Sequence, residues 1–231
     1  MVTTWHRARR LLSQTWCRAA DYAWIGRALA LAALRREIPP GYAAGTAKPV
    51  MLLPGVLENW AIMRMVGDQL NLAGHPVHAL RELGSNTVPV SEGARIVERE
   101  LVDRDLEDVV LVAHSKGGLI GKQVMLGPEG WRIRRLVAVA TPFHGSRLAK
   151  LIPHPMVRAF DPHDPTIVEL ASRDEVDHRI VSICPSFDPH IPEGSHLAGA
   201  TNVPVTASGH FRVLASPEVL AAIRQAVAKA A

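Results

Sequence analysis

Val109-Val110-Leu111-Val112-Ala113-His114-Ser115-Lys116-Gly117-Gly118-Leu119-Ile120 decides the reading of this 231-residue chain. Val109 to Val112 is apolar without alternation, the pattern of a strand buried on both faces of a parallel sheet. It runs into a turn of small residues, and a helix is predicted from Lys116 to Leu126. Ser115 sits in the turn. This is the context that a nucleophile elbow requires, because a sharp strand-to-helix turn strains the serine backbone and lifts its hydroxyl above the sheet edge. Strand and helix nearly touch there, so the residues two before and two after the serine must be small. Ala113 and Gly117 meet that need, although the common pattern has Gly where Ala113 stands. The hydroxyl also lies at a helix N-terminus, whose partial positive charge favours a developing anion. The plainer reading is a serine that only caps the helix; the surrounding strand, small residues and helix favour the catalytic one.

On either side of this stretch, apolar runs and helical spacings alternate. Val50 to Leu53, Val77 to Leu80, Leu136 to Val139, Ile180 to Ile183 and Val203 to Val205 read as further strands. Asn59 to Leu72 and Glu92 to Leu106 carry apolar residues at helical spacing. Ser216-Pro217-Glu218 supplies an N-cap, a proline at the first helical position and an acid in the first turn of a helix reaching Lys229. Strands separated by helices predict an α/β fold: a mostly parallel sheet of about six strands, covered on both faces.

Length favours one α/β domain, spanning 48–231, preceded by a basic segment and linker at 1–47. Residues 1–36 hold seven Arg and one Asp, which leaves the remainder slightly acidic within a net charge of +4. With no basic stripe interleaved with aromatics in the body, nucleic acid is not an expected partner. Arg7, Arg9 and Arg10 followed by Leu11-Leu12 imitate an export signal, but Gln14, Arg18 and Asp21 interrupt the apolar run. Trp24 to Leu34 is too short to span a bilayer. Trp5, Trp16 and Trp24 among arginines would suit peripheral contact between residues 1–36 and a membrane. A helix packed on the body by its Leu and Ala face is the favoured reading. The expected location is cytoplasmic or peripheral to a membrane, and the pattern is compatible with export. Cys17 and Cys184 form neither a disulfide framework nor a metal cluster.

A serine hydroxyl is a weak nucleophile at neutral pH and needs a base, itself oriented by an acid. Following an elbow, the expected chain order is Ser, acid, His. His210 lies between the last strand and the last helix, where a loop reaches the carboxyl end of the sheet. Asp188 follows the strand at Ile180–Ile183 by a short loop. Asp161 and Asp164 belong to a proline-rich loop, and Asp177 precedes a strand at the wrong end of the sheet.

From about Lys48 onward the chain resembles bacterial lipases and esterases of the α/β-hydrolase superfamily. The matching pieces are Leu53-Pro54-Gly55-Val56, Ala113 to Gly118, Thr141-Pro142-Phe143-His144-Gly145-Ser146, Asp188-Pro189-His190-Ile191-Pro192, Gly199 to Val203 and Gly209-His210-Phe211. The resemblance implies an α/β-hydrolase fold and a carboxylic ester hydrolase acting on an ester or lipid substrate, with Ser115, Asp188 and His210 as its triad. It implies an oxyanion hole from the backbone N–H groups of Val56 and Lys116, with Leu57 in reserve; Pro54 stands where such lipases carry His. No metal and no organic cofactor enters this chemistry. Leu57, His114, Phe143, Leu148 and Met156 are the expected substrate contacts, and 147–178 is a candidate lid. The same fold hosts thioesterases and acyltransferases, and a binding module with a vestigial elbow is the non-enzymatic alternative.

Overall fold

Continuous apolar runs make strands that can be buried on both faces, and six of them assemble here into one sheet. The strands of this computed structural model are β1 (Val50–Leu53), β2 (Val77–Ala79), β3 (Val109–His114), β4 (Ile133–Val139), β5 (Ile180–Phe187) and β6 (Thr201–Ser208). Their order is β2-β1-β3-β4-β5-β6, and every neighbouring pair is parallel. The helices are α1 (Val2–Leu34), α2 (Arg64–Leu72), α3 (Val90–Asp103), α4 (Lys116–Leu126), the single turn α5 (Pro155–Arg158), α6 (Pro165–Ser172) and α7 (Pro217–Ala228). The structure describes residues 2–35, 37–151 and 155–230, with side chains from Gln14 onward except that of Pro155.

Successive strand residues point to opposite faces, and this divides the core in two. On one face Val50, Leu52, Val110, Val112, Val137 and Val139 meet Val66 and Leu70 of α2, Val219 and Ile223 of α7, and Ile25 of α1. On the other, Met51, Leu53, Val109, Leu111, Leu136 and Ala138 meet Ile96, Val97 and Leu101 of α3, Leu119 and Ile120 of α4, and Ile167 and Leu170 of α6.

Several expectations shift. β5 and β6 run further than their apolar residues suggest, because they keep pairing with each other to Phe187 and Ser208 after β4 has ended. Pro204 is tolerated because β6 is an edge strand. The helix predicted from Asn59 begins instead as a 3₁₀ turn at Trp60–Met63, where Asn59 Oδ1 accepts from Ala61 N at 2.9 Å. Ser216 makes no side-chain capping bond. Glu218 instead reaches back to β6, accepting from Thr206 N, Thr206 Oγ1 and Ala207 N.

The N-terminal segment is a helix packed on the body, but among the described side chains not by leucines. Cys17, Asp21, Ile25 and Ala32 face inward with half-buried Trp24 and Ala28, while Leu29, Leu31 and Leu34 point out. Trp5, expected at a membrane interface, and Arg7, Arg9 and Arg10 of the export-like run lie outside the described side chains. Among the described residues no helix is long and apolar enough to cross a membrane. The candidate lid is also corrected in part. Ile167 and Leu170 are only 1% exposed, so α6 is a crossover helix sealed onto the sheet between β4 and β5. Among the described residues of 147–178 the large apolar side chains that are exposed are Leu151 and Val168; Ile152 lies outside the described residues.

Candidate active site

In an open parallel sheet, ligands bind outside the carboxyl ends of the strands, where the strand order reverses. Here the chain passes from β1 outward to β2, then returns to place β3 on the other side of β1, so the switch lies between β1 and β3. The loops at that point are Pro54–Glu58 and the turn at Ser115.

Ser115 holds φ 50° and ψ −118°, a conformation that costs of order 1–3 kcal/mol and persists only where its surroundings fix it. Both of its backbone groups are pinned. Its N–H donates to Val139 O at 2.9 Å, and its C=O accepts from Thr141 Oγ1 at 3.0 Å. The small residues are required by contact: a Cβ on Gly117 would lie 2.0 Å from Leu53 O, and one on Gly118 would lie 2.1 Å from Thr141 Oγ1.

Four hydrogen bonds from three segments of the chain hold His210, which is 5% exposed. Its Nε2 lies 3.0 Å from Ser115 Oγ, and its Nδ1 lies 2.7 Å from Asp188 Oδ2. Its backbone N–H donates to Asp21 Oδ2 at 3.0 Å, and its C=O accepts from His114 Nε2 at 2.9 Å. Asp188 Oδ1 accepts from the N–H groups of His190 and Ile191 at 2.7 and 3.0 Å. Burial pushes the Asp188 carboxyl up, but His210 and these N–H donors outweigh it and hold it below the usual carboxylate range. The Asp188 carboxyl is therefore ionised at neutral pH.

His114 sits beneath this arrangement with none of its surface exposed. Its Nε2 faces a carbonyl, which can only accept, so Nε2 carries a hydrogen. Its Nδ1 lies 2.9 Å from Glu58 Oε2, which also accepts from Gly55 N at 2.8 Å. Burial works to lower the His114 pKa, yet the adjoining Glu58 carboxylate and the His210 carbonyl leave it raised. Glu58 and His114 thus form a buried link between the loop after β1 and the loop carrying His210. Lys116 closes the other side. Its Nζ donates to Asn86 O at 2.8 Å and to Val88 O, and burial pushes its pKa down to about 8. Asn86 in turn donates from Nδ2 to Pro54 O at 2.6 Å, fixing the start of the Pro54–Glu58 loop.

The structure therefore brings Ser115, His210 and Asp188 together, with Lys116 N at the start of α4 and the Val56 loop beside them. Leu57, with φ 61°, is 54% exposed. Leu148 is half-buried and lines a cavity of about 460 Å³ with Phe187, Asp188 and Ile191, while Met156 is half-buried within α5. Two expected substrate contacts are corrected. His114 is enclosed between Glu58 and His210, and Phe143, 1% exposed, is packed into the core between β4 and α6. Neither presents surface to a ligand. Asp177 pairs with Lys122 at 2.7 Å at the far end of the sheet.

Sequence reasoning missed Asp21, Glu58 and Asn86, whose roles depend on partners distant in the chain. Thr141 and Ser146 carried a signal, since both fall in a motif quoted above. Thr141 pins the Ser115 turn, and Ser146 Oγ donates to His190 O at 2.6 Å, tying the same loop to the acid. Among the described residues no group of three or more His, Cys, Asp or Glu is arranged to hold a metal ion.

The six-stranded parallel sheet with helices on both faces is the α/β-hydrolase fold. Solved structures of that fold match over most of the chain. The mature lipase BlEst2 of Bacillus licheniformis aligns with a TM-score of 0.62 at 14% identity, over 83% of this chain and 94% of its own. A monoacylglycerol lipase of Paleococcus ferrophilus aligns with 0.59 at 16% identity, over 81% and 98%. An extracellular α/β-hydrolase from a Paenibacillus species aligns with 0.56 at 16% identity, over 80% and 99%. No protein-family model matches the sequence, and no curated protein matches it.

Proposed function

We propose that this chain is a serine hydrolase that cleaves carboxylic esters, with Ser115 as nucleophile, His210 as general base and acid, and Asp188 as the group that orients His210. The observation that carries the reading is the unbroken chain Ser115 Oγ–His210 Nε2–Nδ1–Asp188 Oδ2, at 3.0 and 2.7 Å, on a strained turn at the switch point. Its similarity in fold to proteins described as lipases supports it.

In this mechanism His210 Nε2 takes the hydroxyl proton as Ser115 Oγ attacks the ester carbonyl. Negative charge develops on the carbonyl oxygen, and the backbone N–H of Lys116 donates to it. Gly55 N–H is committed to Glu58, so the second donor comes from Val56, or from Leu57 beside it. The imidazolium then protonates the leaving alcohol as the C–O bond breaks, giving the acyl-serine. A water, deprotonated by His210, attacks that acyl group; the bond to Ser115 Oγ breaks, His210 returns the proton to Oγ, and the carboxylic acid is released. Exposed Leu57 and half-buried Leu148 and Met156 favour an apolar, lipid-like acyl chain. On α1, exposed Trp16 and Leu34 lie among exposed Arg18, Arg27 and Arg35, which suits contact with an anionic lipid surface.

The test is covalent labelling with a fluorophosphonate. Wild-type protein is expected to label, and Ser115→Ala is not; an unlabelled wild type would remove the catalytic reading and leave a binding module. Turnover of p-nitrophenyl esters against acyl-thioesters then separates esterase from thioesterase. Replacing Ser115 or His210 by Ala is expected to lower kcat by about 10⁴-fold or more.

A further inference from the structure

The N-terminal helix lies outside the resemblance, yet it places a fully buried carboxylate against the His210 loop. Asp21 is 0% exposed. Its Oδ2 accepts from His210 N at 3.0 Å, and its Oδ1 accepts from Phe211 N at 3.0 Å and Arg212 N at 2.9 Å. Arg212 N is the first N–H of the 3₁₀ helix Arg212–Ala215 and the other two lead into it, and the first N–H groups of any helix lack a partner within it. No local side chain caps that helix. Asp21 does so from nearly the other end of the chain. The fit is close: Gly209 holds φ 112°, and a Cβ there would lie 2.6 Å from Asp21 Oδ1. Arg212 completes the seam, donating from Nη2 to Cys17 Sγ at 3.5 Å and from Nε to Ser208 O at 2.8 Å.

We propose that Asp21 is a positioning residue for the general base, so that the N-terminal helix is part of the catalytic unit. The inference rests on the serine-hydrolase reading and adds to it. The imidazole can meet Ser115 and Asp188 together only if the backbone at 209–212 is fixed. The His114 bond to His210 O fixes one side of that backbone, and Asp21 fixes the other. Removing Asp21 leaves three N–H groups without their acceptor and frees the loop to shift. A misplacement of about 1 Å at a catalytic group can cost about 10²-fold.

The experiment compares wild type, Asp21→Ala, Asp21→Asn and Ile25→Ala. Ile25 lies one turn along the same buried face of α1, in the apolar core, and its side chain has no acceptor to offer the N–H groups of the loop, so its variant reports what loosened helix packing does by itself. Each is assayed well below its own melting temperature for fluorophosphonate labelling rate, for kcat and KM on a p-nitrophenyl ester, and for the low-field proton resonance of His210 Nδ1–H bonded to Asp188. For Asp21→Ala, kcat and labelling rate are expected to fall about 10²-fold with KM little changed, and the low-field resonance to broaden or shift. Asp21→Asn keeps one acceptor oxygen and is expected to fall between wild type and Asp21→Ala. Ile25→Ala is expected to lower the melting temperature while keeping the wild-type rate and resonance. A wild type that does not label overturns the serine-hydrolase reading itself. A wild type that labels, with Asp21→Ala equally fast or no slower than Ile25→Ala, overturns the positioning role alone. Should Asp21→Ala not fold, Asp21→Asn against Ile25→Ala decides in the same way.

Discussion

Two histidines flank His210 at ring-centroid distances of 5.0 Å each, and their surroundings drive them in opposite directions. His190 is pushed down from an ordinary 6.5 to about 4 by burial and by its neighbour His210. Among the described residues its buried Nε2 has no hydrogen-bond partner. The unfolded chain takes up a proton near 6.5 where the folded chain resists until about 4, so stability is lost as pH falls through that window. The loss is at most about 3 kcal/mol. His190→Gln is therefore expected to flatten the acid side of a plot of urea midpoint against pH; an unchanged acid slope would refute the assignment. His114 has the opposite sign. Its pKa is raised by Glu58, so its contribution is present below the unfolded value near 6.5 and is lost as pH rises through the folded one. Glu58→Gln keeps the shape and removes the counter-charge. It is expected to cost about 3 kcal/mol near pH 6 and to abolish that pH dependence, read by the same titration.

At the scale of elements, the site depends on how closely the end of β3, the start of α4 and the loop after β4 approach one another. Gly117 packs its Cα against the Leu53 carbonyl, a backbone atom that cannot rotate away. Gly117→Ala is expected to destabilise by about 3 kcal/mol or more in urea unfolding, since any added methyl group forces α4 off β1. The loop after β4 acts more gently. Thr141→Val is nearly isosteric and deletes only the donor to Ser115 O, so about 1 kcal/mol of stability should go, together with part of the labelling rate at Ser115. Full retention of both would show that the φ 50° turn is held without it. These elements were well marked in the sequence. A strand buried on both faces must be apolar at every position, and an elbow must be small on both sides, so β3, Ser115 and α4 appear at the expected residues. Element ends were less legible, because the far halves of β5 and β6 are fixed by pairing with each other and carry no apolar pattern of their own.

For the whole molecule, a further buried ion pair lies at the end of the sheet opposite the candidate site. Lys122 and Asp177, 1% and 4% exposed at their side chains, pair at 2.7 Å near the start of β5, away from the carboxyl-end loops. Lys122→Met would strand a buried carboxylate and is expected to cost about 3–5 kcal/mol, while the Ser115 labelling rate measured below the melting point stays near wild type. A loss of labelling in protein that remains folded would show that the two ends are coupled. The succession of strands along the chain, the elbow, and the order Ser115, Asp188, His210 were legible before folding, because each is written in residues within one element or its adjoining loop. What holds His210 in place emerges only in the folded chain. The bonds from Asp21, His114 and Asp188 come from segments 189, 96 and 22 residues away. Local patterns record which face of an element is buried. A hydrogen bond between distant segments exists only once packing has brought a donor and an acceptor to the same buried point, so a lone Asp in an apolar run looks like an interruption until the helix is docked.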